Sequence, residues 1–138
     1  MSYSLRVVGG DLCRRGSQLD IVYGLDKLLQ DIDLWLRERY GGDRFHLNMG
    51  SILQDFIGGV VSDSTNAEVQ AEVLRVLQNY QAVQLRRLRE KPQSLSPSEM
   101  LVSIDDVSTR TNYDSVQVAV RLRNGSNVSS AVKVGVGL

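Results

Sequence analysis

The sequence predicts an α+β fold: N-terminal extended segments and three helices, followed by a small antiparallel sheet packed on the helices. Three observations predict it. Apolar residues between Leu25 and Leu36 recur at helical steps, and a longer stretch from Val69 to Leu88 does the same. From Val116 to Leu138 the apolar period drops to that of a strand. A chain of 138 residues can bury one continuous core but is short for two, so residues 1–138 are read as a single domain.

The opening stretch, residues 5–23, is broken by Gly9-Gly10 and by Arg15-Gly16-Ser17. Its apolar pieces, 5–8 and 19–23, read as extended segments joined by turns. The first helix then carries Leu25, Leu28, Leu29, Ile32 and Leu36 on one face, with Asp26, Lys27, Asp33, Arg37 and Glu38 on the others. It is expected to end near Tyr40-Gly41-Gly42, where glycine accepts the left-handed conformation that closes a helix.

Ile52, Leu53, Phe56 and Ile57, closed by Gly58-Gly59, predict a second helix of roughly two to three turns. The third helix has the clearest start signal, a capping box in Thr65-Asn66-Ala67-Glu68. Val69, Val73, Val76, Leu77, Tyr80, Val83 and Leu88 form its apolar stripe, and Pro92 and Pro97 prevent continuation.

Two strands follow, in which Val116, Val118, Val120 and Leu122, and then Val132, Val134, Val136 and Leu138, alternate with residues for the opposite face. Asn124-Gly125 lies between them and predicts a hairpin. A preceding strand at 101–109, joined through Thr111-Asn112-Tyr113-Asp114, completes a three-stranded meander. The expected core is Leu28, Ile32, Leu36, Val73, Leu77, Tyr80, Val118 and Val120; Trp35 and Tyr40 fit either internal packing or a partner contact.

Composition narrows the function classes. Hydrophobic residues at 42% and charged residues at 23% favour neither a disordered nor a membrane chain. Sixteen basic and sixteen acidic residues cancel, so bulk charge names no polyanionic partner and no nucleic acid is expected. The basic run Arg86-Arg87-Leu88-Arg89-Glu90-Lys91 fits a helix C-terminus, which favours cations. One cysteine, Cys13, and one histidine, His46, cannot form an internal disulfide or a His/Cys metal cluster. No signal peptide opens the chain, and no apolar run approaches the ~20 residues that span a bilayer, so cytoplasmic folding without membrane insertion is expected.

Two groups of residues are candidates for contact with partners. No later segment is expected to cover the edge of the last strand, so Val128, Val132, Lys133, Val134, Gly135 and Val136 form a candidate docking strand; protection by a neighbour within the fold is the alternative. Gly135 and Gly137 weaken a strand but permit close approach of another backbone. The second group is the helix-to-sheet joint Ser96-Pro97-Ser98-Glu99, which also matches a capping pattern.

Several short motifs, in this order, carry a resemblance. Gly10-Asp11-Leu12 precedes Tyr23-Gly24-Leu25-Asp26-Lys27-Leu28-Leu29-Gln30-Asp31-Ile32; Arg39-Tyr40-Gly41-Gly42 and Asn48-Met49-Gly50-Ser51 follow; the Ser-Pro-Ser-Glu joint and the final strands close the series. The chain over residues 10–136 resembles the small baseplate wedge proteins of contractile phage tails and type VI secretion systems, a family commonly labelled lysozyme-like. It departs from them at the joint, where Ser96-Pro97-Ser98-Glu99-Met100 stands in place of the family's Glu-Pro-Arg.

The resemblance implies a structural subunit, present in multiple copies around the tail axis of a virion baseplate assembled in the host cytoplasm. It implies partners among sheath subunits and other wedge proteins. In that role the last strand templates the first sheath ring by β-strand augmentation, its free backbone groups pairing with an incoming strand. The Ser96–Glu99 joint is implied to brace neighbouring wedge subunits. An adaptor of a type VI secretion baseplate is the alternative, with a peptidoglycan hydrolase as a third reading.

A glycosidase needs two carboxyl groups across a sugar cleft. Asp31 and Asp33 point to different faces of a helix, and Asp105 and Asp106, adjacent in a strand, are expected on opposite faces of a sheet. Glu99 falls at a capping position. With no nucleophile elbow, phosphate loop or metal-ligand spacing in the sequence, neither enzyme activity nor a cofactor is expected.

Overall fold

The computed structural model describes residues 3–8, 11–12, 14–16, 18–38, 40–41, 49–57 and 63–137. Cys13, His46, Asn48, Gly42, Gly58-Gly59 and Leu138, singled out above, lie outside the described residues.

The opening segments are short strands: β1 (Tyr3–Leu5), β2 (Val7–Val8), β3 (Asp11–Leu12), β4 (Arg14–Arg15), β5 (Gln18–Leu19) and β6 (Ile21–Tyr23). They pair among themselves as β1 with β6, β2 with β3 and β4 with β5, each antiparallel. Arg6 closes the junction of these pairs, donating its N–H to the Asp20 carbonyl at 2.9 Å and its Nε to the Asp20 carboxylate at 2.6 Å.

Helix α1 (Gly24–Arg37) follows without a break. Gly24 has a φ of 56°, a left-handed conformation, and a Cβ there would come within 3.0 Å of Ser98 Oγ. Gln30 clamps the N-terminal ribbon to α1, accepting from the Val7 N–H at 2.9 Å and donating to the Leu5 carbonyl at 2.7 Å. The Gln30-Asp31-Ile32 step thus has three physical duties: Gln30 holds the ribbon, Asp31 binds Lys27 and Tyr80, and Ile32 is fully buried.

The predicted end of this helix and the predicted second helix are both corrected. Helix α1 stops at Arg37 because Glu38 turns into extended conformation, and Ser51 pairs with the chain there. The Ser51 N–H donates to the Glu38 carbonyl at 2.8 Å, and the Tyr40 N–H donates to the Ser51 carbonyl at 3.0 Å. The Ile52 N–H is taken by the Glu72 carboxylate at 2.9 Å. Only a single 3-10 turn, Leu53–Phe56, remains of the expected helix. With backbone groups of residues 51 and 52 committed to other elements, too few residues are left before Gly58 for a stable helical nucleus.

Helix α2 (Asp63–Glu90) starts two residues before the predicted capping box, which places Thr65 inside its first turn. Val69, Val73, Val76, Leu77 and Tyr80 of its stripe are buried, and the basic run forms its exposed C-terminal end. A 3-10 turn at Pro97–Glu99 leads to β7 (Leu101–Thr111), β8 (Ser115–Asn124) and β9 (Ser129–Gly137), antiparallel in the order β7-β8-β9. The architecture is therefore α+β, but with two helices, not three, and with the N-terminal segments paired as strands of their own.

The core lies between the helix stripes and the inward face of the sheet. All eight expected core residues are buried there, joined by Val116, Leu122, Val132, Val134 and Val136 from β8 and β9. Complete burial of each such aliphatic side chain contributes about 1.5–3 kcal/mol. Trp35 packs internally, edge-on to Tyr80 with ring centroids 5.3 Å apart. Tyr40 is exposed, with Arg75 stacked over its ring at 5.0 Å.

Candidate functional site

Strand β9 forms one edge of the three-stranded sheet. Which of its backbone groups are free follows from one hydrogen bond. The Asn124 N–H donates to the Val128 carbonyl at 3.1 Å, so residues 124 and 128 form a hydrogen-bonded pair. Such pairs alternate with non-bonded ones along an antiparallel ladder. In the observed register, Leu122↔Ser130, Val120↔Val132, Val118↔Val134 and Val116↔Val136 share the parity of that pair. Val132, Val134 and Val136 therefore direct their backbone groups to β8, while Ser129, Ala131, Lys133 and Gly135 direct theirs to the open edge. Arg37 provides an independent check, because its Nη1 donates to the Gly135 carbonyl at 3.3 Å from the side away from β8.

The six predicted edge residues thus divide. Val132, Val134 and Val136 point inward and are buried in the core, with Val134 only 2% exposed. Val128 lies in the hairpin, where its N–H donates to Asn124 Oδ1 at 2.9 Å. Lys133 and Gly135 present their backbones to the edge, and both are exposed. A proline at Val132 or Val134 would therefore break the protein's own sheet before it tested the edge; Lys133 is the informative position.

Each face of this edge borders a depression. On the outer face, Ser108, Arg110, Gln117, Ala119, Lys133 and Gly135 help to line a shallow trough of about 410 Å³. On the inner side, a cleft of about 290 Å³ runs between β9, α1 and the N-terminal ribbon, lined by Arg6, Val7, Val22, Asp26, Leu29, Gln30, Asp33, Ala131 and Val132. No side chain at Gly135 is excluded by the protein's own packing, since a Cβ there would meet nothing within 4 Å.

The joint at 96–99 is held by its own chain. Glu99 is 1% exposed, and its Oε1 accepts from the Ser96 N–H at 3.3 Å and the Ser96 hydroxyl at 2.8 Å, the capping role anticipated for it. The Pro97 carbonyl accepts from the Gly125 N–H at 2.9 Å, the Ser98 carbonyl from Asn124 Nδ2 at 3.1 Å, and the Glu99 carbonyl from Gln84 Nε2 at 2.7 Å. Pro97 is the exposed residue of the four.

Among the described residues, no group of three or more His, Cys, Asp or Glu side chains could hold a metal ion, and no helix is long and apolar enough to cross a membrane. Asp31 accepts from Lys27 at 2.6 Å and from the Tyr80 hydroxyl at 3.1 Å, whereas Asp33 faces Arg37 at 2.8 Å. The expectation for Asp105 and Asp106 is overturned. A bulge between Ile104 and Asp106 breaks the strand alternation, so both carboxylates are exposed and border the same shallow recess beside Arg121.

No protein-family model matches the chain. No curated protein matches it either. Among solved structures, its fold is shared. A crystal structure from Geobacter sulfurreducens, of a protein provisionally named a tail lysozyme, matches with a TM-score of 0.57 and 13% sequence identity, covering 82% of this chain and 89% of that one. At that identity the likeness is one of fold.

The sequence reading missed the groups that govern the edge. The alternation of inward and outward valines marks β9 as a strand, but the parity of its free backbone groups depends on the hairpin pair Asn124↔Val128. Arg37 reads in the sequence as a surface partner of Asp33 four residues away, and its reach to Gly135 has no local signal.

Proposed function

We propose that this protein is a structural baseplate wedge subunit of a contractile tail, present in several copies around the tail axis, which links wedge proteins to the sheath and starts the first sheath ring. The observation that carries this reading is the open β9 edge, on which the backbones of Ser129, Ala131 and Lys133 face away from β8. An extended segment of a sheath subunit adds there as a further strand, its main chain supplying affinity and its side chains entering the depressions on either face. The fold shared with the Geobacter sulfurreducens protein, whose name places it in a tail, supports the same setting.

The reading involves no catalytic step. Purified protein should release no reducing sugar from peptidoglycan at high concentration over a long incubation, and sustained turnover would reopen the hydrolase reading.

The deciding experiment is a density map of the intact particle or isolated baseplate around residues 128–138. A sheath strand at the usual spacing of about 4.8 Å from β9 is the expected result. Absence of the chain from the particle, or a β9 edge left in solvent beside an assembled sheath, would overturn the proposal.

A further inference from the structure

We infer that Arg37 closes one end of the β9 edge, and that the edge accepts a strand alternating apolar residues with a lysine or arginine on its cleft-facing side. This inference rests on the docking role proposed above and specifies its partner.

Arg37 is held on α1 by Asp33, with Nε to Oδ1 at 2.8 Å, and from there its Nη1 reaches the Gly135 carbonyl at 3.3 Å. Gly135 belongs to the outward-facing set of β9 residues, so its carbonyl is already engaged. An added strand meets open backbone at Ser129, Ala131 and Lys133 and is stopped at Gly135 by the guanidinium. Charged side chains over a strand edge are a common protection against unwanted pairing.

The cleft beside that open stretch sets the side-chain chemistry. Its floor is apolar, from Val7, Val22 and Leu29. Arg6 is matched by Asp20 and Asp33 by Arg37. Asp26 stands on the exposed side of α1 at this cleft and has no ion pair among the described residues. A partner strand therefore places valine-like side chains on the floor and a cation beside Asp26. An acidic strand would bring like charge to the same place.

The test uses the full chain and two capped peptides of about seven residues, Thr-Val-Thr-Lys-Thr-Val-Thr and its counterpart with a central Glu, with amide hydrogen exchange followed by NMR. The Lys peptide should slow exchange at Ala131 and Lys133 but not at Gly135. In Arg37→Ala the protection should extend to Gly135 and binding should tighten about fivefold, as expected for one added hydrogen-bonded pair. In Asp26→Lys the preference should pass to the Glu peptide, with about a threefold loss for the Lys peptide, the scale of an exposed ion pair. Both substitutions lie on the exposed side of α1, and unchanged amide spectra away from β9 verify that the variants fold.

If Gly135 is protected already in the unaltered protein, or Asp26→Lys leaves the preference unchanged, the inference is overturned while edge docking stands. If neither peptide protects any β9 amide in any variant, both the inference and the docking role fail.

Discussion

Asn124, at the end of β8, donates from Nδ2 to the carbonyl of Ser98 at 3.1 Å and so fastens the hairpin tip to the joint between helix and sheet. Its Oδ1 turns the other way and accepts from the N–H groups of Ser126 at 3.1 Å and Val128 at 2.9 Å. One side chain, 2% exposed, thus shapes the hairpin and anchors it. The neighbouring Gly125 is required by space, because a Cβ there would lie 2.6 Å from the Pro97 carbonyl oxygen.

Asn124→Ala should lower stability by about 1–2 kcal/mol, since it removes three hydrogen bonds to partners that are only partly buried. Asn124→Asp keeps both accepted bonds but turns a carboxylate oxygen toward the Ser98 carbonyl at a position that is 2% exposed, so its loss should be at least as large. Urea midpoints of the two variants measure this directly. A clearly smaller loss in Asn124→Asp would mean that the hairpin turn, and not the contact with Ser98, carries most of the effect.

Much of this was legible in the sequence. The three strands, both long helices and every named core residue follow from apolar period, because each element buries one face against a common core. What was not legible depends on contacts between distant residues. The segment around Ile52 has helical spacing, yet Ser51 and Glu72 take its backbone groups. Asp105 and Asp106 look opposed until the bulge brings them to one recess. At the candidate site, the strand and its glycines could be read, but the open parity of Ala131 and Lys133 could not, since it is set by a hydrogen bond in the hairpin.

Glu72 is the buried anchor for the segment that failed to become a helix. Its carboxylate accepts from the Ile52 N–H at 2.9 Å and from Arg75 Nε at 2.8 Å. Hydrogen bonding to Glu72 holds the Arg75 guanidinium protonated even above its ordinary range. Glu72→Ala should cost about 2–3 kcal/mol and hasten proteolysis within residues 49–57, whereas Glu72→Gln keeps an acceptor for Ile52 and should protect that segment better. Identical cleavage rates in both variants would show that Ile52 does not depend on this side chain.

Tyr80 gives the fold a dependence on alkaline pH. Burial, followed by the negative charge of Asp31 and their hydrogen bond, pushes its phenol well above the ordinary tyrosine value. The unfolded chain loses this proton near pH 10, about where a free tyrosine does, while the folded chain retains it. The native state then binds more protons than the unfolded state, so the stabilisation is complete below about pH 10 and falls as pH rises beyond it. Tyr80→Phe should cost about 1 kcal/mol near neutral pH and flatten the loss that sets in above about pH 10. Urea titrations read by Trp35, the single tryptophan, would measure both effects; an equally steep alkaline loss in Tyr80→Phe would assign the dependence to other groups.

The parity of β9 makes opposite predictions for two adjacent residues. The N–H of Val134 belongs to the ladder with Val118, and its side chain is buried, so Val134→Pro removes a sheet hydrogen bond and should cost about 3 kcal/mol or more. The N–H of Lys133 faces the open edge, where proline is tolerated because no ladder bond is lost. Lys133→Pro should therefore retain the fold, with a urea midpoint much closer to that of the unaltered chain, yet remove one backbone donor of the docking stretch. If Lys133→Pro unfolds the protein as readily as Val134→Pro, the assigned parity is wrong and the edge groups belong to the other set of residues. If it folds normally and still supports sheath assembly, the parity is right but this edge is not where the sheath begins.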